Sequence, residues 1–183
     1  MRFTETPIAG VVIADSPRRT DQRGSFSRWF CEESLLPFLG GRRVRQSNHS
    51  CTTTVGAIRG LHFQHPPHCE MKLVRCIRGA VWDVVVDLRA GSPTFLRWHA
   101  ERLSAADGRM MVIPEGCAHG FQVLEPASEL LYLHTADYEP SSEGGVRWND
   151  PRVSIHWPQP VHDLSERDQG HPLLDASFKG LKP

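Results

Sequence analysis

Apolar and polar residues alternate along most of the chain, and this pattern predicts short β-strands. The run over residues 69–77 is the clearest case. Lys72 and Val74 lie on one face of this predicted strand, and Leu73 and Arg75 lie on the other. The pattern alone leaves open which of the two faces points into the protein.

A second strand is predicted directly after this run. Residues 80–88 are mostly β-branched, and Arg78-Gly79 between the two runs predicts a hairpin turn. Further strands are predicted over residues 8–14, 25–31, 43–50, 54–58, 95–103, 109–113, 119–124, 129–136 and 153–157. Many short strands with little helix predict an all-β sandwich or barrel, and a jelly roll suits the length of the chain.

Helical signals are confined to two short stretches. Residues 32–39 can form a helical turn or two before Gly40-Gly41, and Ser165 resembles the N-cap of a short C-terminal helix. Residues 158–183 contain four prolines and are predicted to form a tail that packs on the barrel. With 183 residues, the chain fits one domain over 1–183.

Composition and charge narrow the classes of function. Lys plus Arg and Asp plus Glu number 21 each, so nonspecific binding of nucleic acid has no electrostatic basis. No apolar run approaches the roughly 20 residues that span a bilayer. The apolar run Ile8–Ala14 has neither a basic flank nor a cleavage pattern. We therefore expect a soluble cytoplasmic protein with no nucleic-acid or membrane partner.

The five cysteines are odd in number, widely spaced and without a CxxC pair. This pattern argues against a disulfide framework or a structural zinc site. We expect small, buried or half-buried thiols in a reducing compartment. Cys117, which lies close to His119, keeps the alternative of a nucleophilic thiol open.

Two segments concentrate the side chains that carry chemistry. Residues 59–72 hold three histidines, an acid and two cations, and residues 113–121 place His119 after a turn. His62 and His119 are expected on converging strands, whereas His65 and His68 flank Pro66-Pro67 and are interpreted as loop residues. Structural roles remain open for three further residues: a solvent-facing Lys72, a buried Tyr132 hydroxyl, and Asp168 as the acid of a capping box.

The two segments resemble the signature motifs of the cupin superfamily, which are small jelly-roll barrels. The second motif matches from Gly108 through Pro114 and Gly116 to His119. In the first, Gln64 occupies the position of the second histidine of a metal-binding cupin. Glutamine is a weak ligand for divalent metals, so we expect no metal at this site.

The chain also resembles the dTDP-4-dehydrorhamnose 3,5-epimerase family from about residue 21 to residue 174. The resemblance rests on these strings: Asp21-Gln22-Arg23-Gly24-Ser25-Phe26, Gln46-Ser47-Asn48, Arg59-Gly60-Leu61-His62-Phe63-Gln64, Lys72-Leu73-Val74-Arg75, Ala118-His119-Gly120-Phe121, Tyr132 and Arg147-Trp148-Asn149-Asp150-Pro151. It implies a cupin-like jelly-roll barrel, a metal-free homodimer with shared active sites, and a nucleotide diphosphate sugar as substrate.

The resemblance also implies roles for individual residues. His62 would be the general base, oriented by Asp168, with Lys72 stabilising an enolate oxygen and Tyr132 acting as the acid on the opposite face. The implied substrate-binding residues are Gln46, Asn48, Arg59, His119, Tyr138 and Glu143, together with Arg23 and Phe26 from the neighbouring subunit. One base, one acid and one oxyanion stabiliser suffice for epimerisation beside a carbonyl, so no cofactor is expected.

Departures from the family pattern leave alternatives open. Arg28 occupies a position where the family usually has an acid near the nucleobase, so we expect either a different mode of base binding or an Arg28 that faces solvent. A 3-epimerase or 5-epimerase on a related keto-sugar would use the same catalytic residues. A metal-dependent cupin using His62, Glu70 and His119, and a non-catalytic sugar-binding cupin, are further alternatives.

Overall fold

The structure is a computed structural model that describes residues 1–183, and short strands dominate it. Its strands are β1 (Arg2–Glu5), β2 (Val12–Asp15), β3 (Arg19–Asp21), β4 (Gly24–Phe26), β5 (Gln46–Thr52), β6 (Ile58–Gln64), β7 (Lys72–Arg78), β8 (Ala80–Asp87), β9 (Trp98–Ser104), β10 (Met110–Ile113), β11 (Cys117–Val123), β12 (Ser128–His134) and β13 (Glu143–Gly145). Two helices, α1 (Glu32–Leu39) and α2 (Glu166–Gly170), complete the fold, with a 3-10 turn at Pro140–Ser142. The all-β expectation is confirmed.

Two antiparallel sheets form the barrel, and their inner faces enclose its main core. The six-stranded sheet has the order β1-β2-β10-β7-β12-β5, and the five-stranded sheet has the order β13-β6-β11-β8-β9. The core between them includes Val74, Cys76, Val85 and Phe121. Strands β3 and β4 form a separate hairpin. This is the jelly-roll architecture predicted from the density of strands.

The hairpin predicted at Arg78-Gly79 is wrong. β7 pairs with β10 and β12, whereas β8 pairs with β11 and β9, so the chain crosses from one sheet to the other at Gly79. Gly79 has φ +69°, and a Cβ there would lie 2.4 Å from Ser128 Oγ. Both strands are apolar enough to be buried on two faces, and a local turn signal does not determine their pairing partners.

The structure shows which face of β7 points into the protein, which the alternation of apolar and polar residues left open. Val74 and Cys76 belong to the core between the sheets, and Lys72 points to the same side, into a cavity. Leu73 packs on the outer face against α1. Arg75 is buried on that outer face beneath Trp29, with its guanidinium carbon 5.4 Å from the ring centroid.

The C-terminal segment covers the outer face of the five-stranded sheet. Leu174, Phe178 and Leu181 join the apolar cluster on that face. The strand predicted over residues 153–157 is wrong: the segment is irregular, and Ser154 has φ +54°. Its apolar residues pack onto the face of the sheet instead of pairing along an edge, and this produces the same alternation as a strand.

Other predicted strands are displaced or shortened. Residues 54–57 form a turn in which Gly56 has φ +84°, and β6 begins only at Ile58. The strand predicted over residues 25–31 ends at Phe26, and an irregular segment leads to α1. The helix predicted over residues 32–39 and the capped C-terminal helix are both present.

The cysteines are free thiols, and three of the five are buried. Burial raises the pKa of the Cys117 thiol to about 12, so this residue is a poor nucleophile. Cys51 is exposed, contrary to the expectation for all five. Neither helix has the length and apolar character needed to cross a membrane.

Candidate active site

A cavity of about 560 Å³ opens between the two sheets at one end of the barrel. It brings together ten residues predicted to act in catalysis or binding: Gln46, Asn48, Arg59, His62, Lys72, His119, Tyr132, Tyr138, Glu143 and Asp168. These residues come from six strands, from α2 and, for Tyr138, from the loop after β12. The fold therefore assembles side chains that are more than 100 residues apart in sequence.

His62 and His119 are direct cross-strand partners on β6 and β11. Next to them the two backbones approach so closely that only glycine fits. A Cβ on Gly60 would lie 2.6 Å from Cα of Gly120. The register of the pair shifts between His119 and Phe121, so that Arg59 and His62, three residues apart on β6, both line the cavity.

His62 forms a hydrogen-bonded dyad with Asp168. Its Nε2 lies 2.7 Å from Asp168 Oδ1, and the backbone N–H of Gly60 donates to Asp168 Oδ2 at 3.0 Å. Ser165 caps α2 by accepting the N–H of Asp168, as predicted. The carboxylate does not close a reciprocal capping box, because both its oxygens are bonded to β6.

The charge state of Asp168 determines the tautomer of His62. Burial by itself raises the pKa of Asp168, but hydrogen bonds from His62 and Gly60 outweigh burial and lower it to about 2. The carboxylate is therefore an acceptor, and the proton of His62 lies on Nε2. Nδ1 of His62 keeps a lone pair that can accept a proton from a bound molecule.

Lys72 lies 7% exposed at the wall of the cavity. Its Nζ donates to the carbonyl oxygen of His62 at 3.0 Å and lies 3.2 Å from Oε1 of Glu70. A positive charge thus stands beside the general-base candidate. A fixed cation in a site of low dielectric stabilises negative charge that develops on a nearby oxygen.

Tyr132 projects from β12 into the cavity. Its hydroxyl lies 3.1 Å from Ser50 Oγ, and its ring stands edge-on to His119 with the centroids 6.1 Å apart. Burial raises the pKa of Tyr132 above its ordinary value. The phenol therefore stays protonated at neutral pH and is available as a donor.

The remaining candidates form the polar walls and rim of the cavity. Arg59 donates from Nε to Thr52 Oγ1 at 2.8 Å. Gln46 accepts the backbone N–H of Tyr138 at 3.0 Å, and the Tyr138 hydroxyl donates to Glu143 at 3.2 Å. Cations and amide or hydroxyl groups of this kind suit a ligand that carries phosphate and sugar.

Gln64 has a structural role in the position where a metal-binding cupin has a histidine. Its side chain donates to the backbone carbonyls of His68 and Asp137 and accepts the N–H of Glu139. It thereby joins two loops at the cavity. His65 and His68 lie in one of these loops and are exposed, as predicted.

The three ligands weighed for a metal-dependent cupin have separate partners. His62 is bonded to Asp168, Glu70 to His134 and Lys72, and His119 to Asp83. The one group of three metal-binding side chains whose donor atoms lie within 4.8 Å of one another is His62, Asp168 and His171. The arrangement therefore differs from the ligand set that the sequence motif suggested.

Arg23 and Phe26 lie outside the cavity, on the β3–β4 hairpin. Phe26 is 69% exposed, and Arg23 forms an exposed ion pair with Asp21 at 2.6 Å. Arg28, which follows the hairpin, is also exposed. Neither Arg23 nor Phe26 contacts the cavity of its own chain.

Several polar residues of the cavity and its surroundings were not predicted from the sequence. His134 lines the cavity, and Asp83 is buried behind His119. Ser50 is the partner of Tyr132. A usable signal existed for His134, because it follows Tyr132 by two residues in a strand and therefore lies on the same face.

Comparisons with known proteins identify the family of the chain. Residues 5–176 match the family model described as dTDP-4-dehydrorhamnose 3,5-epimerase. The chain belongs to this family. It is 42% identical to a dTDP-4-dehydrorhamnose 3,5-epimerase of Salmonella typhimurium, over 97% of this chain and 98% of that protein. It is 40% identical to a dTDP-4-dehydrorhamnose 3-epimerase of Streptomyces niveus, over 100% of this chain and 89% of that protein.

A solved structure of the epimerase family has the same fold. The Legionella pneumophila dTDP-6-deoxy-D-glucose-3,5-epimerase, solved in complex with dTDP-4-keto-L-rhamnose, superposes with a TM-score of 0.90 at 35% identity. The alignment covers 100% of this chain and 98% of that one. The matched range of the family model includes every candidate residue from Arg23 to Asp168.

Proposed function

We propose that this protein epimerises a nucleotide-linked 4-keto-6-deoxyhexose at C3, C5 or both. The observation that carries the proposal is the convergence of His62–Asp168, Lys72 and Tyr132 on one cavity. Binding alone does not need a base and an acid together, and this argues against a non-catalytic sugar-binding cupin. Family membership supports the same reaction class.

The proposed chemistry starts with proton abstraction. C3 and C5 of the sugar both adjoin the C4 carbonyl, so removing a proton from either carbon moves the electron pair onto the C4 oxygen. His62 Nδ1 takes the proton, and Asp168 stabilises the resulting imidazolium through Nε2. The Lys72 ammonium stabilises the enolate oxygen.

Inversion needs the proton to return from the other face of the sugar. Tyr132 donates its phenolic proton to the carbon while the C4 carbonyl re-forms, and solvent later removes the proton from His62 and returns one to Tyr132. The raised pKa of Tyr132 keeps the donor loaded at neutral pH. The oxidation state of the sugar does not change, so the scheme uses no redox cofactor.

A reaction at only one carbon is the second candidate. The 3-epimerase of Streptomyces niveus is about as similar to this chain as the 3,5-epimerase of Salmonella typhimurium. The same four residues serve either outcome. Proton NMR of dTDP-4-keto-6-deoxyglucose with the enzyme in deuterated water distinguishes them, because deuterium enters C3 alone, C5 alone or both. If deuterium entered neither C3 nor C5, the epimerase proposal would be wrong.

We further propose a homodimer in which the β3–β4 hairpin completes the partner's nucleotide site. The support is that Phe26 is exposed on a hairpin that does not reach its own cavity. Light scattering tests the dimer. Mixing an Arg23→Ala variant with a His62→Ala variant tests sharing, since mixed dimers would regain one intact site.

We propose that one domain over residues 1–183 carries the activity and that it works in the cytoplasm. The five free thiols fit a reducing compartment.

A further inference from the structure

A buried carboxylate connects Lys72 to a histidine that the proposed mechanism does not use. Glu70 Oε1 lies 3.2 Å from Lys72 Nζ, and Glu70 Oε2 lies 2.7 Å from His134 Nδ1. The side chains of Glu70, Lys72 and His134 are each 9% exposed. All three residues line the cavity. From the sequence, Glu70 was considered only as a ligand in the alternative of a metal-dependent cupin.

The contacts of Lys72 leave one N–H for the cavity. An ammonium group has three donors. One is bonded to the carbonyl oxygen of His62 and a second points to Glu70, so the third is available to a bound molecule. The two acceptors come from β6 and from the loop before β7, and together they determine the direction of the third N–H.

The groups around Glu70 keep it ionised. Burial raises its pKa, but hydrogen bonding to His134 and the charge of Lys72 outweigh burial and lower it. From β12, His134 donates through Nδ1, which leaves Nε2 to accept from Asn48 Nδ2 of β5 at 3.4 Å. From β6, His62 presents its carbonyl oxygen to Lys72.

We propose that Glu70, held in place by His134, is a positioning residue that keeps the Lys72 ammonium charged and aimed into the cavity. This inference rests on the proposed function, in which Lys72 stabilises the enolate oxygen. Burial disfavours the charged form of a lysine, and the carboxylate of Glu70 offsets that penalty. Glu70 supplies both the charge and one of the two acceptors that orient Lys72.

A titration that does not depend on activity tests the charge. The chain has only three lysines, and the other two, Lys179 and Lys182, lie exposed near the C-terminus. With ¹³C label at the lysine Cε, NMR follows Lys72 separately and uses the other two as internal references. Glu70→Gln is expected to move the Lys72 midpoint down by about one pH unit or more. An unchanged midpoint would overturn the proposal.

Two substitutions of Glu70 distinguish the effect of its charge from the effect of its side-chain length on the kinetics. Glu70→Gln keeps an acceptor and loses the charge, so the alkaline limb of kcat moves to lower pH. Glu70→Asp keeps the charge but shortens the side chain, so kcat falls about 10- to 100-fold while the limb stays in place. His134→Asn, which weakens the hold on Glu70, is expected to lower kcat by less. KM should change little in all three.

Glu125→Gln is the matched control. Glu125 forms a half-exposed ion pair with Arg102 outside the cavity. Its kcat, pH profile and Lys72 titration are expected to equal those of the wild type. If wild-type protein fails to exchange deuterium, the proposed function fails. If wild type exchanges, Lys72→Ala does not, and Glu70→Gln behaves as wild type, only the role of Glu70 fails.

Discussion

Two histidine–aspartate pairs lie side by side at the cavity, and their histidines differ in access to a ligand. In one pair, His62 Nε2 lies 2.7 Å from Asp168, and the histidine side chain is 24% exposed. In the other, His119 Nε2 lies 2.8 Å from Asp83, and the side chains are 5% and 0% exposed. The two histidines are cross-strand partners.

The carboxylates differ as much as the histidines. Both oxygens of Asp168 are hydrogen-bonded, one to His62 and one to Gly60 N–H. Asp83 uses only Oδ1, and its Oδ2 is buried without a partner. The same pair of residue types therefore forms an accessible proton acceptor at one position and a buried fixed group at the other. Burial and hydrogen bonding, more than residue type, assign the roles.

Removing the accessible histidine is the largest expected effect. His62→Ala should abolish deuterium exchange, because a positioned base contributes about 10²- to 10⁴-fold in rate. Proton NMR of the keto-sugar in deuterated water measures the loss. His65→Ala, in the exposed loop after β6, should exchange at the wild-type rate. Exchange that survives in His62→Ala would show that the base lies elsewhere.

Tyr132→Phe separates abstraction from reprotonation on the opposite face. Inversion should fall by about 100-fold. Deuterium should still wash in at the original configuration, because His62 and Lys72 remain. The ratio of exchanged to inverted sugar, read by NMR in one sample, is the measurement. Equal loss of exchange and inversion would contradict the assignment of Tyr132 as the acid.

Changing the buried histidine should affect binding more than turnover. His119→Asn is expected to raise KM about tenfold while kcat stays within a few-fold, because His119 lines the cavity without being the base. Steady-state kinetics on the same sugar nucleotide provide both constants. A fall in kcat as large as that of His62→Ala would contradict the assignment of different roles to the two histidines.

The low pKa of Asp168 predicts a pH-dependent contribution to stability. Its folded pKa of about 2 lies below the ordinary value of 3.8, so its stabilisation is present above about pH 4 and is lost as pH falls towards 2. The difference corresponds to about 2 kcal/mol. In urea unfolding, Asp168→Asn should have a free energy of unfolding lower than that of the wild type by this amount at pH 7 and should differ little from the wild type at pH 2.

Asp163→Asn is the control for that comparison. Asp163 is exposed and lies at the same cavity without a side-chain hydrogen bond. Its stability should match the wild type within about 0.5 kcal/mol at both pH values. A loss for Asp168→Asn that stays constant with pH would assign its role to packing instead of charge.

Substitution of Arg28 has the smallest expected effect, because it should change nucleotide binding and not the reaction at the sugar. A guanidinium only donates hydrogen bonds, so it can reach the carbonyl oxygens of a base or a phosphate but cannot accept an N–H. Calorimetry with dTDP, UDP, CDP and GDP should show weak selectivity in wild type and a preference for dTDP in Arg28→Glu. A wild type already selective for dTDP, with an unchanged profile in the variant, would mean that Arg28 faces solvent.

Local sequence signals predicted the elements whose conformation depends on neighbouring residues. The helix over 32–39 and the N-cap at Ser165 are examples, since capping and turn residues act within a few positions. The segment over 153–157 shows the limit. Its alternation is real, but packing on a sheet face and pairing in a strand produce the same pattern.

The amino-acid sequence alone was enough to predict the strand-rich class, the family and ten of the residues that line the cavity, because motifs preserve residue types in a fixed order. Tertiary structure decided what each of them does. It placed Lys72 on the inner face of β7, sent β8 to the opposite sheet, and joined Glu70 to His134 across 64 residues. Periodicity identifies two faces of a strand, but only the packing of both sheets determines which face is inside and which charges become neighbours.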